Sequence, residues 1–156
     1  MRYLFYVGLM FVFMYLLFLW ILESPPPQVM STAGGTEVII SVDRSGHYQG
    51  EGAINGVPVD FLVDSGATYV AIPSSMASRL GVDLKKAAEI SVETAAGRVK
   101  AYRVIVDSVR FTAIEQKNVA AVVIPNLDSP LLGMNFLRKI SISQKDGKMS
   151  FRVDKR

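Results

Sequence analysis

The chain contains no cysteine, one histidine and one tryptophan among its 156 residues. Without cysteine there is neither a disulfide framework nor a thiol nucleophile. A single histidine, His47, cannot supply the several nitrogen or sulfur ligands of a structural zinc centre, so no metal or other cofactor is expected. A serine hydrolase would need that same histidine, and Ser65 does not sit in a Gly-x-Ser-x-Gly elbow. His47, just before Tyr48, is expected at a loop or rim. Charge of one sign is also scarce. Seventeen basic and 14 acidic residues leave +3, and the basic ones occur in pairs such as Lys85-Lys86 and Arg138-Lys139. No basic stripe with interleaved aromatics is present, which argues against a nucleic-acid partner. Long helical segments alternating with strands are missing too, which excludes a parallel sheet wrapped by helices.

One long apolar run is present. Between Tyr3 and Leu22 only Gly8 is not large and apolar or aromatic. At about 1.5 Å rise per residue the run makes roughly 30 Å of helix, the thickness of a bilayer's hydrocarbon core. It is long for the apolar part of a signal peptide, and no small-x-small cleavage site precedes Glu23. The reading is therefore a membrane anchor over residues 1–22, with residues 3–22 in the bilayer. Arg2 before the span and Glu23 after it orient the bulk of the chain outward. Trp20 suits the outer interface. Residues 23–35, with Pro25-Pro26-Pro27 and Gly34-Gly35, read as an extended stalk. Residues 36–156 remain, enough for one domain with one modest core.

That domain patterns as β structure. Strands are expected at Val38–Val42, Tyr48–Ile54, Val59–Val63, Val70–Ile72, Ile90–Thr94, Val99–Val106, Val109–Ile114, Ala120–Ile124, Ile140–Ser143 and Met149–Val153. Asn55-Gly56 and Asp146-Gly147 mark turns, and Ala95-Ala96-Gly97-Arg98 a hairpin. Ser75 to Leu80, after Ser74 as cap and before Gly81, predicts a short helix, and Asn135 to Arg138 a helical turn. The class is a mainly β, largely antiparallel and partly closed domain.

Within it, Phe61-Leu62-Val63-Asp64-Ser65-Gly66-Ala67 puts a carboxylate where an apolar strand ends in a tight turn. A buried charge costs several kcal/mol (on the order of 2–7 for a lone polar group, more for an ion) unless hydrogen bonds, a partner charge or chemistry offset it. One offset is an Asx turn, in which Asp64 only caps backbone amides. A second apolar run with a single glycine, Leu131-Leu132-Gly133-Met134-Asn135-Phe136-Leu137, follows far downstream. Asp60, Asp83, Asp107 and Asp128 fit solvated turns or strand ends.

This order of pieces resembles the retroviral-type (retropepsin-like) aspartic proteases, most of all their bacterial membrane-anchored, single-lobe relatives. The resemblance runs from about His47 to Phe151 and includes Ala77-Ser78-Arg79-Leu80-Gly81-Val82 and Thr94-Ala95-Ala96-Gly97-Arg98-Val99. It implies a single-lobe closed β domain in which Asp64 is the catalytic aspartate and Ser65, Gly66 and Ala67 form the supporting turn. Leu132, Gly133 and Asn135 match the second motif, where the glycine leaves room for close packing. Ala95, Ala96 and Gly97 match the flap. Ser65 stands where threonine is commoner, and Ala96 where asparagine is. The resemblance further implies a homodimer that completes an Asp dyad, an activated water as nucleophile, an extended polypeptide substrate, and residence in a bacterial inner membrane with the C-terminal domain in the periplasm. The alternative is a catalytically silent, membrane-anchored dimerisation or peptide-binding module.

Overall fold

The computed structural model describes residues 2–22, 28–32, 35–94 and 97–154. Helix α1 (Arg2–Leu22) covers the apolar run. Among the described residues no helix is long and apolar enough to cross a membrane. Strand β1 (Gln28–Thr32) lies inside the segment expected to be stalk and pairs antiparallel with β2 (Gly35–Ser41), in register Gln28 with Ile39 and Thr32 with Gly35. The segment is extended there, as expected of a stalk, but its extended part is a paired strand. A chain with Gln, Val, Met, Ser and Thr after the prolines has the backbone groups and strand-compatible side chains to add an edge strand, whereas proline composition alone argues only for extension.

Seven strands form the main sheet: β3 (Gln49–Ile54), β4 (Val57–Val63), β5 (Val70–Pro73), β6 (Ala88–Thr94), β7 (Gly97–Phe111), β8 (Ile114–Ile124) and β9 (Leu131–Leu132). Their order is β3-β4-β9-β5-β8-β7-β6, and a further β3–β7 pairing closes the sheet on itself. A barrel of six strands results, with β6 hung on the outer part of β7. Most pairs are antiparallel, but β4–β9 and β5–β8 are parallel, and both flank the Asp64 turn. Strands β10 (Ser141–Lys145) and β11 (Lys148–Asp154) join β1 and β2 in a second sheet, ordered β1-β2-β11-β10. Phe151 of β11 ties the two sheets together. Its ring stacks edge-on against Phe111, 5.3 Å between centroids, and Phe111 against Phe61 at 6.3 Å. All three rings are buried. Gly52 makes the arrangement possible, because a Cβ there would meet the Phe61 ring at 2.7 Å and overlap the Arg110 carbonyl.

Two predicted elements differ. Ser75 to Leu80 is not an α-helix but a 3-10 turn over Ser74–Met76 followed by further turns. Pro73 occupies the cap position and no side chain caps the first amides, so the serine signal goes unused. Gly81, at φ +72°, still ends the segment. The strands expected at Val99–Val106 and Val109–Ile114 are one 15-residue strand, β7. Asp107 and Ser108 do not break it, because Asn55 Oδ1 accepts their amides at 2.8 and 3.3 Å. The chain reverses instead at Thr112-Ala113, between the paired Phe111 and Ile114. Asn55 also donates from Nδ2 to the Leu80 carbonyl at 2.9 Å. One turn residue thus joins three segments, besides adopting the positive φ of its Asn-Gly hairpin.

Candidate active site

Strand β4 runs Val-Asp-Phe-Leu-Val with alternate residues buried, and Val63 pairs in parallel with Leu132 of β9. The next residue is Asp64. Its amide donates to the Leu132 carbonyl at 3.2 Å, so the second motif holds the strand end directly. One carboxylate oxygen, Oδ1, accepts the Gly66 amide at 2.8 Å, and the Ala67 amide reaches the Asp64 carbonyl at 3.3 Å. This is an Asx turn. It uses one oxygen, and among the described residues Oδ2 has no hydrogen-bond partner. Asp64 and Ala67 are half-buried, while Ser65 and Gly66 are exposed. Among the described residues the Ser65 hydroxyl has no hydrogen-bond partner.

Behind the turn the packing is tight. A Cβ on Gly133 would overlap the backbone carbonyl of Tyr69 and lie 2.9 Å from the Ala67 oxygen. The φ of Gly133 is −87°, open to any residue, so space rather than backbone angle requires glycine. The crossing is held by Met134 N–H to the Ala67 carbonyl at 2.8 Å and Asn135 N–H to the Thr68 carbonyl at 3.0 Å. Asn135, in α2 (Met134–Leu137), is the buried polar residue of the core at 8 % exposure. Its Oδ1 accepts the Val70 amide at 2.9 Å and its Nδ2 donates to the Ala120 carbonyl at 2.6 Å. A buried amide with both ends satisfied fixes a geometry that apolar packing would leave loose. The structure therefore brings together Asp64, Ser65, Gly66, Ala67, Leu132, Gly133 and Asn135.

The hairpin of β6 and β7 is two antiparallel arms, with Thr94 opposite Gly97. Thr94 Oγ1 donates to the Gly97 carbonyl at 2.8 Å, and Gly97 has φ +104°. Ala95 and Ala96, the expected tip, lie outside the described residues. A cavity of about 680 Å³ is lined by residues that include Glu51, Pro58, Asp60, Arg110 and Thr112, and none of the Asp64 turn is among them. The Asp64 turn and this hollow are in different places. Asp60, read as a strand-end acid, is in fact an exposed residue within β4.

Sequence reasoning passed over the loop before β3. Asp43 Oδ1 accepts from the Ser45 amide (2.8 Å), the Ser45 hydroxyl (2.6 Å) and the His47 amide (2.9 Å), and Oδ2 accepts from Gln49 Nε2 (3.0 Å). His47, expected at a rim, is exposed, with Nδ1 3.0 Å from Ser45 Oγ. The Val63 amide donates to the Tyr48 carbonyl, so this loop abuts the strand that carries Asp64. The signal available was Asp-x-Ser-Gly, an Asx-turn pattern. The Ser45 hydroxyl bond, and after it the His47 amide, hold the Asp43 carboxyl below the usual aspartate range. A lowered folded-state value means stability that is present above the ordinary aspartate value and lost as pH falls through the lowered one. Asp43→Asn should therefore melt below the parent at neutral pH, and the gap should close in acid. Thermal melts across pH check this, and a gap that widens in acid would contradict it.

A family model described as “gag-polyprotein putative aspartyl protease” matches residues 50–139. An uncharacterized protein of Rickettsia prowazekii (strain Madrid E) is 36% identical over 132 residues, 83% of this chain and 53% of that protein. A Sinorhizobium protein described only by its place in the cobV 5′ region is 30% identical over 119 residues, 74% of this chain and 51% of its own. The chain thus spans about half the length of the curated relatives it matches. A crystal structure of a retropepsin-like aspartic protease from Rickettsia conorii matches with a TM-score of 0.67 at 30% identity, covering 81% of this chain and 92% of that one.

Proposed function

This chain belongs to the retropepsin-like aspartic protease family, and we propose that it is an aspartic endopeptidase whose Asp dyad forms when two copies pair. The observation that carries this reading is Asp64 itself. It is half-buried, pinned from behind by Leu132, Gly133 and Asn135, and keeps one carboxylate oxygen open. One such turn occurs per chain. Hydrolysis of this kind needs one carboxylate to take a proton from water and one carboxyl to donate to the carbonyl oxygen. Two carboxyls in close approach share a proton, which divides those roles. The water oxygen then bonds to the peptide carbon, and the amide nitrogen leaves with a proton.

A two-fold dimer supplies the second Asp64. The exposed Ser65 hydroxyl, with no hydrogen-bond partner among the described residues, fits a bond across that axis. The groove between subunits would hold an extended peptide under the two β6–β7 hairpins. The test is a mixed peptide library incubated with purified full-length protein and, beside it, Asp64→Asn. Cleavage by the parent alone supports the reading. A parent that binds peptides but never cuts them leaves the silent binding module.

Anchoring by residues 3–22 in a bacterial inner membrane, with 36–156 in the periplasm, is part of the proposal. It is supported by helix α1 and by side chains from Tyr6 to Phe18 that are large, apolar and 42 to 66 % exposed. Confinement to a membrane also raises the effective concentration of two weakly pairing subunits. The full-length protein should stay in the pellet after an alkaline wash, and a phosphatase fused at the C-terminus should be active. Release into the wash would refute the anchor.

A further inference from the structure

We propose that Arg103 and Tyr69 form a subsite that selects an acidic side chain in the substrate. The proposal rests on the endopeptidase reading and adds a charge preference to it.

The two faces of the β6–β7 hairpin differ in chemistry. Register places Ile90 opposite Ala101, Val92 opposite Val99 and Ala88 opposite Arg103. Residues directly opposite share a face, and alternation carries that face along each arm. One face is therefore Ala88, Ile90, Val92, Val99, Ala101 and Arg103, apolar until it reaches Arg103 at its base. Ala101 is fully buried and Ile90, Val92 and Val99 are half-buried, while Ala88 and Arg103 at the base are exposed. The other face bears the charges. Lys100 meets Glu89 at 2.9 Å and Arg98 meets Glu93 at 3.0 Å, both pairs well exposed. Those cations already have acids. Arg103 does not: among the described residues no carboxylate lies within ion-pair distance of it.

Its recorded partner is neutral. Arg103 donates from an Nη to the Tyr69 hydroxyl at 3.0 Å, and its guanidinium carbon lies 5.1 Å from the Tyr69 ring centre. Tyr69 comes five residues after Asp64 and is held as firmly as the turn. Its carbonyl packs against Gly133, and the next amide, Val70, is bonded to Asn135. The pair thus bridges the base of the hairpin and the wall that continues from the reactive turn. An extended peptide advances about 3.3 Å per residue. One running beneath the hairpin from Asp64 brings a side chain two to four residues from the cut bond past this bridge. Stacking and one hydrogen bond hold the guanidinium plane in place and leave further N–H groups free, a fork suited to a carboxylate. The tyrosine hydroxyl can donate to the same anion.

Peptides identical except for Glu against Gln at one position, tested position by position with full-length protein, read the subsite. The parent should favour Glu over Gln about tenfold in kcat/KM at one position within four residues of the cut, mainly through KM. Arg103→Gln should remove that ratio, Arg103→Glu should shift it toward Lys, and Arg103→Lys should restore part of it, which separates loss of charge from loss of folding. Tyr69→Phe should lower the ratio without reversing it. Equal rates for Glu and Gln at every position, or an Arg103→Gln protein with the parent's ratio, would overturn the subsite. The same peptides bound to Asp64→Asn protein, followed by fluorescence anisotropy, report it without turnover. A Glu preference in binding alongside an inactive parent keeps the subsite and rejects the endopeptidase, while no preference in either assay rejects the subsite.

Discussion

Asp64→Asn protein should lose peptidase activity by at least about a thousandfold, because the change removes the group that exchanges the proton while nearly keeping its shape. The amide oxygen can still accept the Gly66 N–H, so melts and dimer mass should match the parent closely. Mixing gives a sharper result. If subunits exchange freely and only a dimer with two acids is competent, activity follows the square of the parent fraction, and an equal mixture retains about a quarter of the parent rate. A chain that works alone would retain about half, by the same stoichiometry. Full activity in a homogeneous Asp64→Asn preparation would reject the mechanism outright. A linear mixing curve would reject the dimer but not the aspartate.

Gly133→Ala should be one of the most damaging single methyls in the domain, beside Gly52→Ala. The atoms it would strike are the backbone carbonyls of Tyr69 and Ala67 rather than the ends of side chains. The Ala67 carbonyl cannot swing aside freely, because it is bonded to the Met134 amide, and the neighbouring Thr68 carbonyl to the Asn135 amide, on the same crossing. Overpacking of this sort costs about 1–3 kcal/mol and more when backbone must move. A displacement of about 1 Å at a reacting group can itself cost on the order of a hundredfold in rate. Denaturant melts and peptide cleavage on the same preparation should therefore both fall. Gly66→Ala offers the contrast: its added Cβ would meet only Asp64 Oδ1, at 3.1 Å, so it should disturb the carboxylate more than the fold. Parent-like melts for Gly133→Ala would mean that the crossing has slack the geometry does not show.

Much of this could be read from the chain itself, where local chemistry is decisive. Alternation placed most strands within a few residues, Asn55-Gly56 fixed its hairpin, and the Asp-Ser-Gly-Ala turn follows from a carboxylate beside a glycine that lets its amide turn back. Those outcomes depend on neighbours in sequence. Where the outcome depended on neighbours in space, the pattern was silent or misleading. Asn55 turned two expected strands into one by accepting amides fifty residues away, and the residues after the prolines became β1 because β2 offered a free edge. The parallel partnering of β4 with β9, and of β5 with β8, cannot be seen in composition. The meeting of Arg103 with Tyr69 cannot be seen there either. A strand's faces are written in its sequence, but its partners are chosen by closure of the sheet, since backbone groups left buried and unpaired cost more than any local preference can return. The sequence by itself singled out Asp64 as the candidate for the proposed chemistry. Only the tertiary structure decided what holds Asp64 in place, what lies beside it, and which of its oxygens stays open.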